Sequence, residues 1–238
     1  MACSAIGIDE IAYLDAYGET DWSLIFKREL IMKYVPLSAR SALDCGCGAG
    51  HLAHELLERR MDVVALDLDL EALQRTKRRY GGPLIRGSAL AIPLRSELFD
   101  VVVLSDLLEH IRDDIGVLRE IHRVLGSGAR LILTVPGMHS LWSYHDVQLG
   151  HIRRYEKKEL CSKLRMAGFA IIHAFFWASL FFPLAYIIRR LAPGHGRSGG
   201  FTSHRQRELI LHILRMERML GPLPFGVSLL AVGGKIER

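Results

Sequence analysis

A glycine-rich turn between two apolar segments constrains the fold of this 238-residue chain more than any other feature. Residues 41–44 have the composition of a short buried strand, and residues 50–60 that of the helix that follows it. Gly46, Gly48 and Gly50 occupy the turn between them. Such a turn leaves backbone N–H groups available at the start of the helix, with no Cβ atom to obstruct a ligand. The pattern therefore predicts a strand–turn–helix unit that binds a ligand.

Asp67 ends the next predicted strand, 62–67, and completes the pattern. An acid in this place can accept hydrogen bonds from both hydroxyls of a ribose, which indicates a nucleoside-containing cofactor. The turn has the spacing D-x-G-x-G-x-G, with Asp44 still on the first strand. A dinucleotide site has its third glycine one residue later, and an acid at the end of the first strand suits a cationic ligand better than a pyrophosphate. An NAD-dependent oxidoreductase is therefore the least favoured interpretation.

Residues 42–50, together with Asp67, resemble motif I and the acidic second-strand residue of class I S-adenosylmethionine-dependent methyltransferases. The likeness continues through residues 87–110 and covers about residues 37–175. It implies S-adenosylmethionine (SAM) as the cofactor and S-adenosylhomocysteine as the product. The residues that it assigns to the cofactor are Asp44, Gly46, Cys47, Gly48, Gly50, Asp67, Leu68, Ser88, Ala89 and Ser105. Ser88 stands where the family usually has Asp, which weakens the expected hydrogen bond to the adenine.

Apolar strands alternate with helices along most of the chain, which indicates an α/β fold. Strands that are apolar on both faces predict a doubly wound, mostly parallel, seven-stranded sheet, Rossmann-like as in these methyltransferases, whose last strand is antiparallel. The expected strands are 41–44, 62–67, 83–86, 99–104, 130–135, 169–176 and 226–236. The expected helices are 8–17, 21–35, 50–60, 70–80, 113–125, 156–166, 179–191 and 204–220. We expect the 113–125 helix to stop at Gly126, because glycine favours the position after a helix end.

The whole chain, 1–238, is expected to form a single domain. Its parts are an N-terminal helical cap over 1–40, a core over 41–177, a helical insertion over 178–225 and a last strand in 226–238.

The segment 136–155 is longer than the fold requires and follows the fifth strand, at the sheet edge where open α/β sheets bind ligands. It resembles a W-x-x-H-D-x-x-x-G-H-x-R-R-Y stretch in bacterial methyltransferases often linked to glycan or lipid metabolism. We expect it to contact the substrate through Trp142, Arg153, Arg154 and Tyr155. The alternative is a surface segment in which Asp146 and the arginines pair locally.

Histidine titrates near neutral pH and is the natural general base if the methyl acceptor is a hydroxyl. The candidates are His110, His145 and His151, of which His151 is the first choice because it lies beside Arg153 and Arg154. These arginines could clamp a carboxylate or a phosphate on the acceptor. For each histidine the alternative is a ring bonded to a backbone carbonyl. No Cys/His cluster has zinc spacing, so the sequence predicts no metal site.

Residues 170–188 carry no formal charge and are followed by Arg189 and Arg190. A strand followed by a helix explains this segment better than a transmembrane helix does. Three interpretations of the helix stay open: packing against the 204–220 helix, a homodimer interface, or peripheral membrane contact through 178–192. The expected packing stripe of the 204–220 helix is Leu209, Ile213, Met216 and Leu220.

Composition indicates the cellular location of the protein more clearly than it indicates the reaction or the binding partner. A formal net charge of +5 permits an anionic membrane, nucleic acid or an acidic substrate without selecting one. Four cysteines without a C-x-x-C pair, and no signal-peptide pattern at the N-terminus, favour a reducing, cytoplasmic location, with membrane association left open. Cys45 and Cys47 are expected to be buried thiols.

The sequence thus favours a SAM-dependent methyltransferase that acts, at oxygen, on a small-molecule, glycan or lipid-linked acceptor. One alternative is an RNA methyltransferase, which basic clusters at 75–79 and 153–158 permit. Against it, no nucleic-acid-binding module is visible, and no N/D-P-P-Y/F motif follows the fourth strand. The other alternative is a SAM-binding partner protein without catalytic activity.

Overall fold

The computed structural model of the chain describes residues 10–191, 203–217, 219 and 221–236. Several residues for which we made predictions lie outside this range: 8–9 of the first helix, 192–202, 218 and 220 of the insertion, and 237–238. The helices are α1 (Glu10–Tyr17), α2 (Trp22–Tyr34), α3 (His51–Glu58), α4 (Leu70–Arg79), α5 (Asp114–Val124), α6 (Tyr144–Gln148), α7 (Lys157–Met166), α8 (Phe182–Leu191) and α9 (His204–Glu217). The strands are β1 (Ser41–Cys45), β2 (Asp62–Asp67), β3 (Leu84–Arg86), β4 (Phe99–Ser105), β5 (Leu125–Pro136), β6 (Phe169–Trp177) and β7 (Ser228–Lys235).

The described strands form one seven-stranded sheet in the order β3-β2-β1-β4-β5-β7-β6. All neighbouring pairs from β3 to β5 are parallel, and β7 is antiparallel to both β5 and β6. The predicted doubly wound sheet with an antiparallel last strand is therefore confirmed. In this register Asp44 lies opposite Ala65 of β2 and Val103 of β4. The carboxyl ends of β1, β2 and β4 meet at one edge, where open α/β sheets bind ligands.

Helices cover both faces of the sheet, which explains why its central strands are apolar on both sides. Residues 101–104 of β4 have no exposed surface. Helices α5 and α7 pack on one face, for example through Leu118 and Leu164. Helices α2, α3 and α9 pack on the other, for example through Leu30 and Leu56. The sheet is thus the middle layer of a three-layer arrangement, and its strand ends are held rigidly.

The passage from α5 to β5 differs from the prediction. Helix α5 ends at Val124, and β5 already begins at Leu125, which is fully buried and pairs with Phe99. Gly126 is part of the strand, and the left-handed conformation falls on Gly128 instead, with φ of +71°. The predicted helix end is within one residue of the observed one, but Gly126 does not take the left-handed conformation of a glycine cap because Leu125 is already extended and buried against β4.

The packing face of α9 also differs from the prediction. Leu209 and Met216 are 60% and 53% exposed. The buried residues of α9 are Leu211, Leu214 and Glu217. The carboxylate of Glu217 accepts hydrogen bonds from the backbone N–H groups of Ser179 and Leu180, at 2.9 and 3.0 Å. An apolar stripe could not predict this face because one of its inward positions is a carboxylate that caps the segment before α8.

Helix α8 contributes no buried residue, so it is not packed into the core against α9. Leu184, Ile187 and Leu191 are among its exposed apolar side chains. Within the described ranges, no helix combines the length and the apolar composition needed to span a bilayer.

Candidate active site

A cavity of about 410 Å³ opens at the carboxyl edge of the sheet. The glycine turn and the ends of β1, β2 and β4 form one side of it, and the N-terminal helices and the 136–155 segment close it from the other. Of the residues predicted to bind the cofactor, it is lined by Asp44, Gly46, Cys47, Gly48, Asp67 and Ser105. Of the predicted acceptor-side residues, it is lined by His110, His145, His151 and Arg154.

Asp44, the next-to-last residue of β1, lies inside the cavity with only 1% of its surface exposed. Neither carboxylate oxygen has a well-formed hydrogen bond within the described part of the chain. Burial raises the pKa of Asp44 to about 7, the nearby charge of Asp67 adds to this, and the backbone of Ala53 offsets only part of it. A buried carboxylate in this state has a strong requirement for a cationic partner.

Asp67 ends β2 and is oriented by two backbone amides. The N–H of Gly48 donates to one carboxylate oxygen and the N–H of Asp69 to the other, both at 3.0 Å. A carboxylate has about four lone-pair sites, so two acceptor sites remain for a ligand. The two bonds hold the carboxylate at the cavity wall, next to the glycine turn.

The three glycines of the turn have different roles. Gly46 and Gly48 have φ of +80° and +53° and line the cavity, where added Cβ atoms would approach Leu107 and Leu14. Gly50 also has a positive φ, +79°, but is not part of the cavity wall. A Cβ there would lie 2.7 Å from the Thr76 side chain and 3.0 Å from its Cα. Gly50 is thus required by the close approach of α3 to α4, and the structure gives it no contact with the cavity.

The thiol of Cys47 lies 3.5 Å from the Thr76 hydroxyl in the same region. Burial raises the thiol's pKa, as it does for Cys45. Both cysteines are buried free thiols, as the sequence indicated.

Three residues predicted to contact the adenine lie outside the cavity wall: Leu68, Ser88 and Ala89. Leu68 follows β2 and is 66% exposed. The hydroxyl of Ser88 accepts a hydrogen bond from Leu90 N–H at 3.2 Å and so stabilises its own loop. Their part in cofactor binding therefore remains a prediction.

The 136–155 segment is held over the cavity by Asp146, which the sequence analysis named only as a local partner of the arginines. Asp146 accepts the backbone N–H of Ser143 at the start of α6. Its side chain also lies 3.1 Å from Nδ1 of His151 and accepts Nε of Arg154 at 2.7 Å. Burial by itself would raise the pKa of Asp146. The hydrogen bond with His151 and the charges of Arg154 and Arg189 outweigh this effect and lower the pKa to about 2. Asp146 is therefore a charged acceptor at neutral pH.

The three candidate histidines all line the cavity. Because Asp146 only accepts, Nδ1 of His151 is the donor, so the lone pair of the unprotonated ring lies on Nε2. The His110 ring lies 5.0 Å from that of His151, and the Glu109 carboxylate lies 4.0 Å from Nε2. Burial lowers the pKa of His110 to about 4, and the charge of His151 adds to this effect. Burial also lowers the pKa of His145 to about 4, and there the charge of Arg189 adds to the effect. Both rings are neutral near pH 7.

Two arginines, one buried and one partly buried, line the cavity wall near Asp146. Arg154 is 3% exposed, and one of its terminal nitrogens donates to the Gly137 carbonyl at 2.7 Å. Arg189 reaches in from α8 and donates to the Leu141 carbonyl at 2.6 Å. Burial lowers the pKa of Arg189 to about 10, and the charge of Arg154 adds to the effect. The two guanidinium groups flank Asp146 and give this wall positive charge.

The structure does not bring the other predicted substrate residues to the cavity wall. Arg153 donates to Asp114 at 2.8 Å, and the buried Tyr155 hydroxyl donates to the same carboxylate at 2.9 Å. Trp142 is 43% exposed and lies outside the wall. The alternative in which Asp146 pairs locally with the arginines fits Arg154, which donates to Asp146. It does not fit Arg153, whose partner Asp114 belongs to α5.

The cavity wall also includes Lys27, Asp106, Glu109 and Arg189, none of which the sequence analysis assigned to the site. Glu109 directly precedes the candidate His110 in the sequence but was not selected. Lys27 and Arg189 come from helices far away in sequence, and no local pattern marks them.

The sheet order, the glycine turn and the two strand-end carboxylates define the Rossmann-like fold of methyltransferases. A crystal structure of a SAM-dependent methyltransferase from Archaeoglobus fulgidus is similar, with a TM-score of 0.65, 15% sequence identity and coverage of 96% of this chain and 100% of that chain. At this identity the likeness establishes the fold alone.

Residues 43–133 match the family model described as a methyltransferase domain. A protein of Mycolicibacterium smegmatis described as a probable S-adenosylmethionine-dependent methyltransferase is 31% identical over 137 residues, 56% of this chain and 53% of its own length. A Mycobacterium tuberculosis protein of the same description is 32% identical over 135 residues, 56% of this chain and 49% of its own length. The chain thus spans about half the length of the curated relatives it matches. The match to the methyltransferase-domain model covers the glycine turn, Asp44 and Asp67.

Proposed function

We propose that this chain is a SAM-dependent methyltransferase that methylates a hydroxyl oxygen of a small-molecule, glycan or lipid-linked acceptor. The observation that carries the proposal is the Asp44 carboxylate, buried near the end of β1 beside the cavity-lining glycines and without a well-formed hydrogen bond. Such a group is costly to bury unless a ligand supplies the missing positive charge. The family match over 43–133 contains this residue and Asp67.

The residues on the sheet side fit the cofactor. Asp44 would pair with the ammonium group of the methionine part, and Asp67 would accept the ribose hydroxyls on its two remaining lone-pair sites. Leu68 would pack on the adenine at the open end. When bound, the sulfonium supplies an activated methyl group. The chain must then orient the acceptor, exclude water and remove the acceptor's proton.

The His151–Asp146 pair supports an oxygen acceptor. Asp146 fixes the ring of His151 so that Nε2 holds a lone pair at the cavity wall. That nitrogen would take the proton of the acceptor hydroxyl, and the adjacent Asp146 charge would stabilise the imidazolium that forms. His110 and His145, which also line the cavity, would contact the acceptor as neutral rings.

An anionic or lipid-linked acceptor is supported by Arg154 and Arg189. The positive charge that they place at the cavity wall suits a phosphate or carboxylate on the acceptor. Arg189 belongs to α8, whose exposed face presents Leu184, Ile187 and Leu191 beside the basic Arg190. We propose that this face contacts an anionic membrane surface and brings a lipid-linked acceptor to the cavity. Flotation with anionic vesicles should recover the protein; sedimentation as a homodimer without flotation would favour a subunit interface instead.

Calorimetric titration with SAM, S-adenosylhomocysteine and NAD tests the cofactor. Both sulfur nucleosides should bind and NAD should not. Asp67→Ala should weaken SAM binding at least about tenfold through loss of charge-assisted hydrogen bonds. The matched control is Asp62→Ala, an exposed residue at the opposite end of the same strand, which should bind SAM normally. Normal binding by Asp67→Ala would refute the cofactor assignment.

Methyl transfer from labelled SAM to hydroxyl-bearing glycans, lipid-linked glycans and phenols tests the acceptor. Transfer to RNA with steep salt dependence would favour the RNA methyltransferase alternative. SAM binding with no transfer to any acceptor class would favour the non-catalytic partner protein.

A further inference from the structure

Glu109, His110 and His151 form a cluster that sequence spacing could not predict, because forty residues of chain separate its two parts. Each side chain offers one ligand atom, and the three atoms lie within 4.8 Å of one another. All three residues line the cavity. Two imidazoles and one carboxylate are the donor set of many catalytic zinc sites and of other open first-row metal sites.

The hydrogen bonds made by the two histidines of the cluster resemble those that usually support metal-bound histidines. A metal-bound histidine usually donates its other ring N–H to a carboxylate or a backbone carbonyl, which fixes the ring. His151 has this contact, with Nδ1 3.1 Å from the Asp146 carboxylate. His110 has a hydrogen bond with the backbone of Gly150. A backbone hydrogen bond also joins the segment of Glu109 and His110 to the segment of His151, since Ile152 N–H donates to the Glu109 carbonyl at 2.9 Å.

We propose that Glu109, His110 and His151 bind a divalent first-row transition metal ion, with Zn²⁺ as the best-suited ion. Imidazole ligands favour Zn²⁺ over Mg²⁺ or Ca²⁺. Nε2 of His151 and the Glu109 oxygen are 4.0 Å apart, whereas ligand atoms sharing a tetrahedral Zn²⁺ are about 3.3 Å apart. Binding therefore requires a contraction of less than an ångström between these two atoms, within reach of side-chain rotation.

The role of the ion rests on the proposed function, although its binding does not. The ion would bind the Nε2 lone pair of His151, so that His151 could no longer take the acceptor's proton. The ion would promote loss of that proton instead, by lowering the pKa of the acceptor hydroxyl. The acceptor's proton would pass to water, and Glu109, His110 and His151 would hold the ion beside the acceptor. Three protein ligands leave a coordination position for the acceptor oxygen.

Zn²⁺ titration of chelator-treated, full-length protein tests the site directly. We expect about one Zn²⁺ per chain. Glu109→Gln and His110→Asn should each weaken binding at least about a hundredfold, because each removes a ligand rather than an outer contact. The matched control is His139→Asn, which removes a histidine from a surface His–Glu pair whose side chains are 3.3 Å apart. This control should bind Zn²⁺ as the wild type does.

Two further measurements make each outcome decisive. The thermal unfolding of each variant shows whether it is folded. The visible spectrum of wild-type protein with Co²⁺ shows, without any variant, whether the ion has the intense bands of a four- or five-coordinate site. Absence of Zn²⁺ binding to the wild type, or equal binding by folded Glu109→Gln and His110→Asn, would overturn the proposal. Because the titration contains no SAM, failure of SAM binding would refute the proposed function and leave this result unaffected.

Discussion

The ammonium group of Lys27 lies 2.5 Å from one carboxylate oxygen of Asp106, and the Thr134 hydroxyl donates to the other at 2.8 Å. Asp106 follows β4 and has φ of +51°, a conformation that is uncommon for residues other than glycine. Helix α2 is thereby joined to the edge of the sheet through a residue in a strained conformation. The ion pair fixes one side of the cavity before any ligand binds.

Lys27→Met should lower the free energy of unfolding by about 2 kcal/mol at pH 7, because it removes a charge-assisted hydrogen bond and leaves Asp106 without its cation. The control is Arg215→Met, which breaks a more exposed pair with Glu29 and should cost less than about 1 kcal/mol. Chemical denaturation measures both values. Equal losses would show that the buried pair has no special role.

The same pair predicts a pH dependence. Burial alone would raise the pKa of Asp106, but the charge and hydrogen bond of Lys27 lower it below its usual value. A depressed folded-state pKa gives stability that is present above about pH 4 and is lost as the pH falls through that lowered pKa. The difference between wild type and Lys27→Met should therefore shrink as the pH falls below about 4. A constant difference would contradict this origin.

Two glycines of the turn should respond differently to alanine. Gly50→Ala should cost about 2–4 kcal/mol, since it adds left-handed strain and a clash with the Thr76 backbone. Gly48→Ala should cost about 1 kcal/mol, because its Cβ would meet the flexible Leu14 side chain at 3.2 Å. Thermal and chemical unfolding measure the two stabilities. Titration with SAM should show a larger loss of affinity for Gly48→Ala than for Gly50→Ala, because Gly48 lines the cavity and Gly50 does not.

The sequence predicted the strand, turn and helix of residues 41–67 well because the determinants there are local. Strand, glycine turn, helix and strand-end acid follow one another within residues 41–67, and the parallel register then brings Asp44 and Asp67 to one edge. The acceptor half depends on contacts between distant segments. Arg189 and Asp146 meet only after α8 folds over the 136–155 segment, and Arg153 is drawn to Asp114 rather than to the cavity. The predicted packing face of α9 was wrong for the same kind of reason, because the buried Glu217 carboxylate accepts hydrogen bonds from backbone amides of a distant segment.

His151→Asn should lower kcat about 10²–10⁴-fold with the acceptor found by the transfer screen, because the proton acceptor is lost. Its affinity for SAM should remain within about twofold of wild type, since Asp44 and Asp67 are unchanged. His139→Asn, an exposed histidine outside the cavity wall, is the control and should retain full kcat. A normal kcat in His151→Asn would exclude His151 as the group that meets the acceptor hydroxyl.

Asp44 should make SAM binding and stability respond to pH in opposite directions. Its folded pKa of about 7 lies above the unfolded value of about 4, so the ligand-free protein holds an extra proton between these limits. The stability contributed by this group is full below about pH 4 and is lost as the pH rises through 7. Asp44→Asn should remove this slope and make the ligand-free protein more stable at pH 8, because no buried charge remains.

Affinity for SAM should instead increase about fivefold from pH 6 to pH 7 in the wild type, as Asp44 loses its proton while the ligand's α-ammonium stays charged. Asp44→Asn should bind SAM at least about thirtyfold more weakly at pH 7, since a buried charge pair is lost, and its affinity should not vary over this interval. Calorimetry at the two pH values measures both effects. An Asp44→Asn variant that retains the wild-type pH dependence would assign it to another group.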